Sequence, residues 1–339
     1  GRIAEQLPHE LLGRPRFVLP LAQVGEIARF NRVQGFSAGL SVALRPGPAF
    51  TTVVATGRYG FADHRATGAL SWRRDAPDGA FEASVFRSVL EVEPWTRGQT
   101  LGNTLNATFA AHDDADYYLA AWGGRLTYTP YHGLLGDVDL ALSFERHRSM
   151  ATEAGSSVND LLGGSGVMPL NPPVVDSNFA RVVVSPRRRI GAAELRVGLE
   201  GLAGQAGSGG RWWVTVHVPF RFRDRTGALS LKSGYAIGDS LPQLRFRVGG
   251  PATVRGYDYG TRSGAGLWAA QLDMALTRSW LFAPVVFADV GDTFRGGFDP
   301  LVGVGGGLSL LGGWIRLNGS VGVNPPTHFR FDLLFRAPR

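Results

Sequence analysis

"AELRVGLEG", residues 193–201, sets Leu195, Val197 and Leu199 against Glu194, Arg196, Gly198 and Glu200 in strict alternation. A period of two places the two sets on opposite faces of a β-strand. The pattern recurs in "WVTVHVPF" (213–220), where Val214, Val216, Val218 and Phe220 alternate with Trp213, Thr215, His217 and Pro219. It returns in "HFRFDLLFR" (328–336), where Phe329, Phe331, Leu333 and Phe335 alternate with His328, Arg330, Asp332, Leu334 and Arg336. A soluble sandwich alternates too, but it turns its apolar faces into a finite core, and so many strands would split into domains. No linker divides these strands. In a membrane barrel the apolar face meets lipid and the polar face meets the lumen, so one sheet can run on. The expected fold is all-β, a transmembrane antiparallel β-barrel, with a soluble sandwich as the competing reading.

Composition agrees. Of 339 residues, 47 are glycine and 11% are aromatic. Only 19% are charged, against about 25% in soluble domains. No uncharged apolar run reaches the roughly 18 residues of a membrane helix. The formal charge of +7 is spread along strands and turns, and its densest run is Arg187-Arg188-Arg189, so no nucleic-acid partner is expected. The absence of cysteine fits a cytosol or an oxidising periplasm. The chain opens on "GRIAEQLPHELL", without an initiator Met or a signal peptide, and reads as a mature chain or a fragment.

Residues 1–35 read as an N-terminal periplasmic segment or linker, with near-helical spacing in "IAEQLPHELL", and 36–339 as the barrel. Strands are expected over 36–45, 50–60, 66–74, 80–89, 100–111, 117–129, 136–147, 177–186, 192–203, 211–221, 227–236, 266–277, 280–290, 301–311, 313–322 and 328–336. That count is sixteen, even as closure requires, with fourteen as the alternative. The segment "TLGNTLNATFAA" (100–111) has helical character and is assigned to a strand on parity. As a strand it puts the long connection 148–176 and the loop before residue 266 on the same, outer side.

That loop contains "PATVRGYDYG" (251–260), whose proline and glycines break regular structure around a lone cation, Arg255. Downstream, "LFAPVVFADVGDTF" (281–294) puts Phe287 and Asp289 on one face and Val286 and Ala288 on the other. In "LWAAQLDMAL" (267–276), Gln271 and Asp273 oppose Trp268, Leu272, Met274 and Leu276. Two carboxylates therefore face the lumen from neighbouring strands, within reach of a long loop folded inward before the fifth-last strand.

"VRGYDYG", then "AQLDMAL", then "FADVGD" resembles the C-terminal signature of the BamA/TamA/FhaC superfamily of outer-membrane barrels, of the bacterial surface-antigen type. "RFNRVQGFSAGL" (29–40) resembles the entry into their first strand, and the likeness spans about 29–336. The resemblance implies a bacterial outer-membrane location, sixteen strands, and insertion of barrel proteins or passage of polypeptides. It assigns Val254, Arg255, Gly256 and Tyr257 to the lumen-loop motif and Phe287 and Gly291 to the strand motif. It makes Asp289 the residue that locks Arg255, with Asp273 where the family usually has Glu. Two departures stand out: thirty-five residues hold none of the family's periplasmic transport-associated domains, and Phe335 is followed by "RAPR" rather than ending the chain. A periplasmic partner or a missing N-terminal domain is expected to stand in, with outer-membrane lipid around the barrel and an unfolded or nascent polypeptide as substrate.

The first strand carries Gly35 and Gly39 and the last carries Phe331 and Phe335 behind Pro325-Pro326. Glycine and proline weaken ladder pairing, so these four mark an expected weak seam that could template an incoming strand. The alternative function is a passive pore or a structural anchor for a partner complex. No enzyme, cofactor or metal is expected. "HDDAD" (112–116) reads as an acidic turn, and "GVGGGLSLLGG" (303–313) as a glycine-rich strand. Trp72, Trp122, Trp268, Trp280 and Trp314 read as membrane-interface or lipid-face residues.

Overall fold

The computed structural model describes residues 17–18, 27–45, 50–96, 98–131, 137–239, 241–277, 279–294 and 297–335. The helical character expected in "IAEQLPHELL" lies outside these residues. The strands are β1 (Phe17–Val18), β2 (Ala28–Asn31), β3 (Gly35–Leu44), β4 (Thr51–Gly60), β5 (Arg65–Ala76) and β6 (Gly79–Glu91). There follow β7 (Tyr117–Pro130), β8 (Asp137–Ser149), β9 (Ser177–Ile190), β10 (Ala193–Gly204), β11 (Gly207–Phe222) and β12 (Arg225–Gly238). After a short hairpin of β13 (Phe246–Val248) and β14 (Arg262–Gly264) come β15 (Gly266–Ala275), β16 (Phe282–Thr293), β17 (Leu301–Leu310), β18 (Ile315–Gly322) and β19 (Phe329–Phe335). Two helices interrupt them, α1 (Leu101–Ala110) and α2 (Ser157–Leu161).

From β2 to β12, and on through β15 to β19, each strand pairs antiparallel with the next. β1 adds to the far end of β3, Phe17 opposite Leu44. Among the described residues no backbone ladder joins β19 to β2 or β3. Because every step reverses direction, the long connections 92–116, 150–176 and 239–265 all leave from one end of the sheet, and short turns such as 77–78, 191–192 and 223–224 close the other.

Two assignments made from the sequence are corrected. Residues 101–110 are helical, not a strand. Thr100 caps the helix by accepting a hydrogen bond from the Asn103 amide, and the buried positions are Gly102, Asn103, Asn106 and Ala107, a helical spacing. Their small and polar side chains conceal that spacing from a reading based on apolar periodicity. Conversely, Ala28–Asn31, placed in the linker, form a strand against Gly35–Ala38.

The two faces of the sheet divide sharply. On β8, Leu140, Leu142 and Phe144 are exposed while Ser143, Glu145 and His147 are buried; on β19, Phe329 and Phe331 are exposed while Arg330 and Asp332 are buried. Exposed aliphatics on one face and buried charges on the other reverse the partition of a water-soluble sandwich, and that reading falls. The long connections pack on the polar face. Bulges between Phe86 and Ser88, and between Ala120 and Gly123, bend the β6–β7 hairpin. Its tip reaches the polar face of β11, where Arg211 Nη2 donates to the Val92 carbonyl at 2.7 Å. Trp95 stacks on Phe246 with centroids 5.3 Å apart.

Replacing Thr100 with Ala removes the side-chain cap of α1 and is expected to weaken that helix by about 1 kcal/mol. Hydrogen exchange should report it as faster exchange of amides 101–104, with the strand amides unchanged.

Candidate functional site

The strand pairing puts Gln271 opposite Asp289 and Asp273 opposite Phe287, so these four side chains share the polar face. Onto them folds the 239–265 connection. Arg255 Nε donates to Asp289 Oδ2 at 2.6 Å and its Nη2 to Oδ1 at 2.5 Å, a two-pronged contact. The Arg255 amide donates to the same Oδ2 at 2.9 Å, so Asp289 fixes the loop backbone as well as the side chain. Nη1 donates to Asp273 Oδ1 at 2.8 Å, an oxygen that also accepts from Arg316 Nη2 at 2.5 Å. The guanidinium lies 3.8 Å from the centroid of the Phe287 ring, a cation–π seat. Burial by itself lowers the pKa of Arg255, but the hydrogen bonds and charge of Asp289, then those of Asp273, raise it above the ordinary arginine value. Arg255 and Asp289 are 3% and 2% exposed, which makes this a desolvated ion pair rather than a surface contact.

Glycine makes the close approach possible. Gly256 has φ +88, and a Cβ there would sit 2.5 Å from the Val321 carbonyl carbon. A Cβ on Gly303 would come within 1.9 Å of the Arg255 carbonyl oxygen. Gly303, at the head of the glycine-rich strand "GVGGG", therefore makes room for the loop, a role its sequence does not announce. Val254 and Tyr257 are fully buried. The Tyr257 hydroxyl donates to the Asn324 carbonyl at 2.8 Å and accepts from the Asn324 amide at 3.0 Å, and Gly291 lies under the Val254 methyl.

A second constellation was missed from sequence. The "HDDAD" segment is a hub in which three aspartates meet arginines from three distant places. Asp113 accepts from the amide of Arg32, in the β2–β3 turn, at 2.8 Å and from the Tyr117 hydroxyl at 2.8 Å. Asp114 accepts from Arg330 of β19 at 2.6 and 2.7 Å. Asp116 accepts from Arg247, in the same connection as Arg255, at 2.8 Å. Beside it Glu93 accepts from the Arg247 amide at 2.6 Å and from the Tyr259 hydroxyl at 2.8 Å. Burial pushes the Glu93 carboxyl up to about 7, against those two donors. The signal was the density of acid in one short run, three aspartates within 113–116. Among the described residues no cluster of side chains could hold a metal ion.

The four seam residues do not meet one another. Gly35 opens β3 at φ +60 beside Ala62, and Gly39 sits against Arg58 and the Gly57 carbonyl. Phe331 and Phe335 pair with Gly319 and Ile315 of β18. Helix α1 touches both edges. Asn106 Nδ2 donates to the Leu333 carbonyl at 3.1 Å, and its Oδ1 accepts from the Leu333 amide at 2.8 Å, so a side-chain amide takes the place of a ladder partner. On the other side, the Phe30 amide of β2 donates to Thr104 Oγ1 at 3.4 Å.

Removing one partner of a buried ion pair strands the other charge. Arg255→Ala is therefore expected to destabilise the loop's docking by about 3–5 kcal/mol, read as protease cleavage within 239–265. Arg255→Lys keeps the charge but loses the two-pronged contact and is expected to fall between. A second expectation concerns pH. The folded protein holds the Glu93 proton more tightly than an unfolded chain does, so this contact is strongest below the ordinary glutamate pKa of about 4.3 and weakens as pH rises through about 7. Amide exchange at Val92, Glu93, Trp95 and 246–248, corrected for intrinsic rates, should accelerate across that window, and Glu93→Gln should abolish the dependence.

No protein-family model matches this sequence, and no curated protein matches it. Solved structures do. BamA from Haemophilus ducreyi lacking POTRA domains 1–3 superposes with a TM-score of 0.59 at 11% identity, over 90% of this chain and 68% of that one. CdiB from Acinetobacter baumannii gives 0.49 at 13% identity, over 90% of this chain and 57% of that one. CdiB from Escherichia coli gives 0.47 at 11%, over 91% and 60%. An antiparallel sheet with a polar, loop-filled face and an apolar exposed one, superposing over nine-tenths of the chain, has the fold of a BamA-like β-barrel.

Proposed function

We propose that this chain works in a bacterial outer membrane as a barrel that inserts polypeptides into the bilayer or passes them across it. The observation that carries the reading is the buried grip of Arg255 on Asp289 and Asp273, which anchors a long connection against the polar face of a BamA-like sheet. In this reading the apolar face meets outer-membrane lipid, the polar face lines the lumen, and the Arg255 loop is a clamp inside it. A periplasmic partner or an N-terminal domain supplies recruitment, and the substrate is an unfolded or nascent outer-membrane polypeptide. No residue is assigned a catalytic step.

The working edge is the seam between β19 and the β2–β3 hairpin. Helix α1 keeps it occupied at rest, with Asn106 satisfying the Leu333 backbone that an incoming strand would otherwise pair with. The helix does not stand alone. The connection that contains it is tied through Asp114 to Arg330 of β19 and through Asp116 and Glu93 to Arg247 in the clamp loop. Movement of the clamp and release of the edge are thus mechanically joined. The tightly filled polar face weighs against the alternative of a passive open pore.

The chain has no cysteine, so two introduced thiols are the only ones present. A Cβ built on Gly102 lies 3.6 Å from the Leu334 Cα, which suits a cross-link between Gly102→Cys and Leu334→Cys. The oxidised variant, reconstituted in vesicles, is expected to lose its ability to insert or translocate an unfolded barrel polypeptide and to regain it on reduction. Full activity while cross-linked would remove the seam from the mechanism.

A further inference from the structure

On the apolar side of the sheet, where the β6–β7 hairpin bends at its bulges, lies a cavity of about 610 Å3. Its lining includes Arg65, Arg87, Arg146, Arg148, Trp122 and Asp176. The ion pairs that neutralise arginines elsewhere are missing here: among the described residues Arg87, Arg146 and Arg148 have no carboxylate partner. Asp176 already accepts from the Ser149 amide at 2.6 Å. Arg65 lies beside Asp63, and the three remaining cations around one engaged carboxylate leave an excess of positive charge in a concavity.

The position of these arginines identifies what they face. Along β8 the exposed side reads Leu140, Leu142, Phe144 and then Arg146 and Arg148. Along β6 it reads Phe81, Val85 and then Arg87. Between them Trp122 packs on Phe144 with centroids 5.4 Å apart. At roughly 3.3 Å per residue, the step from the last apolar side chain to the first arginine is about 7 Å on both strands, Phe144 to Arg146 on β8 and Val85 to Arg87 on β6. That order is the depth profile of a bilayer boundary, with hydrocarbon below, aromatic rings at the interface and cations at the level of lipid phosphates. Gly68 pairs with Arg87 and has no side chain to compete for the space.

We propose that this cavity seats the phosphate of a membrane-lipid headgroup, gripped by Arg87, Arg146 and Arg148 with Trp122 against the lipid beneath it. The inference rests on the membrane reading above, so its test measures insertion separately. The whole chain is reconstituted in phosphatidylcholine vesicles with and without phosphatidic acid, checked for resistance to urea extraction, and examined for retained lipid by native mass spectrometry. The wild-type protein should insert in both vesicles and retain phosphatidic acid. R146Q/R148Q should insert equally well and bind phosphatidic acid at least about tenfold more weakly, as expected for loss of charge-assisted hydrogen bonds. R87Q should move in the same direction, and it carries the test if the double variant fails to fold. R188Q/R189Q, at the opposite end of the sheet, should retain the lipid as the wild type does. Unchanged retention in R146Q/R148Q or R87Q overturns the site while leaving the membrane reading intact. Displacement of the lipid by an equal concentration of inorganic phosphate also overturns it, because the cavity would then be a free-anion site. Failure of the wild type to insert overturns the membrane reading and this inference with it.

Discussion

A carboxylate on the wall of this sheet has almost no water around it, and the loop above it exists in its observed form because of that. Asp289 is closed off by the loop itself, so its charge has to be matched from within. Arg255 does so with two guanidinium nitrogens and its own amide. Because one of the three donors belongs to the backbone, the carboxylate fixes the position of the chain and not only the direction of a side chain. Everything around the contact is arranged to let the backbone come that close. Gly256 turns at positive φ, Gly303 leaves room for the Arg255 carbonyl, and Phe287 offers its ring face to the cation. A single methyl at Gly303 would meet the loop well inside van der Waals contact, so glycine at that position is a geometric requirement of the loop's seating.

A buried ion pair of this kind adds little to net stability, because taking both charges out of water costs nearly as much as their attraction returns. What it supplies is discrimination between arrangements. Any displacement of the loop that leaves Asp289 buried without Arg255 is strongly penalised. The hub around "HDDAD" obeys the same rule with more partners. Each of Asp113, Asp114 and Asp116 is satisfied by an arginine from a different part of the chain, and moving one of those parts strands a charge in another.

The alternation of β10, β11 and β19 was legible because each of those strands is apolar on one face and polar on the other, and a period of two survives any tertiary context. The meeting of Arg255 with Asp289 and Asp273 was legible because an arginine flanked by breakers, and two aspartates at odd spacing from exposed aliphatics, carry their geometry in the sequence. Helix α1 was not. Its buried face is Gly102, Asn103, Asn106 and Ala107, and hydrophobic periodicity cannot reveal a helix whose partners are backbone amides and carboxylates. β2 escaped for a related reason: four residues are too few for alternation to register. The hub stayed hidden because Arg32, Arg247 and Arg330 are far apart in sequence, and only the closing of the connections over the polar face brings them to one segment.

The placement of α1 follows from what an unpaired strand edge requires. The Leu333 amide and carbonyl on the free side of β19 need partners once water is excluded, and a neighbouring strand is the usual source. An asparagine side chain sets an N–H donor beside a carbonyl acceptor at a spacing that matches the peptide group, so Asn106 satisfies both with a single residue. That substitution is cheaper to undo than a full ladder, since one side chain replaces a run of cooperative backbone bonds. A strand arriving at β19 would exchange two hydrogen bonds for many. The segment that follows this helix supplies Asp114 to Arg330 of β19 and Asp116 to Arg247 of the 239–265 connection, so in the proposed function a strand exchanging at the edge would strain those ion pairs.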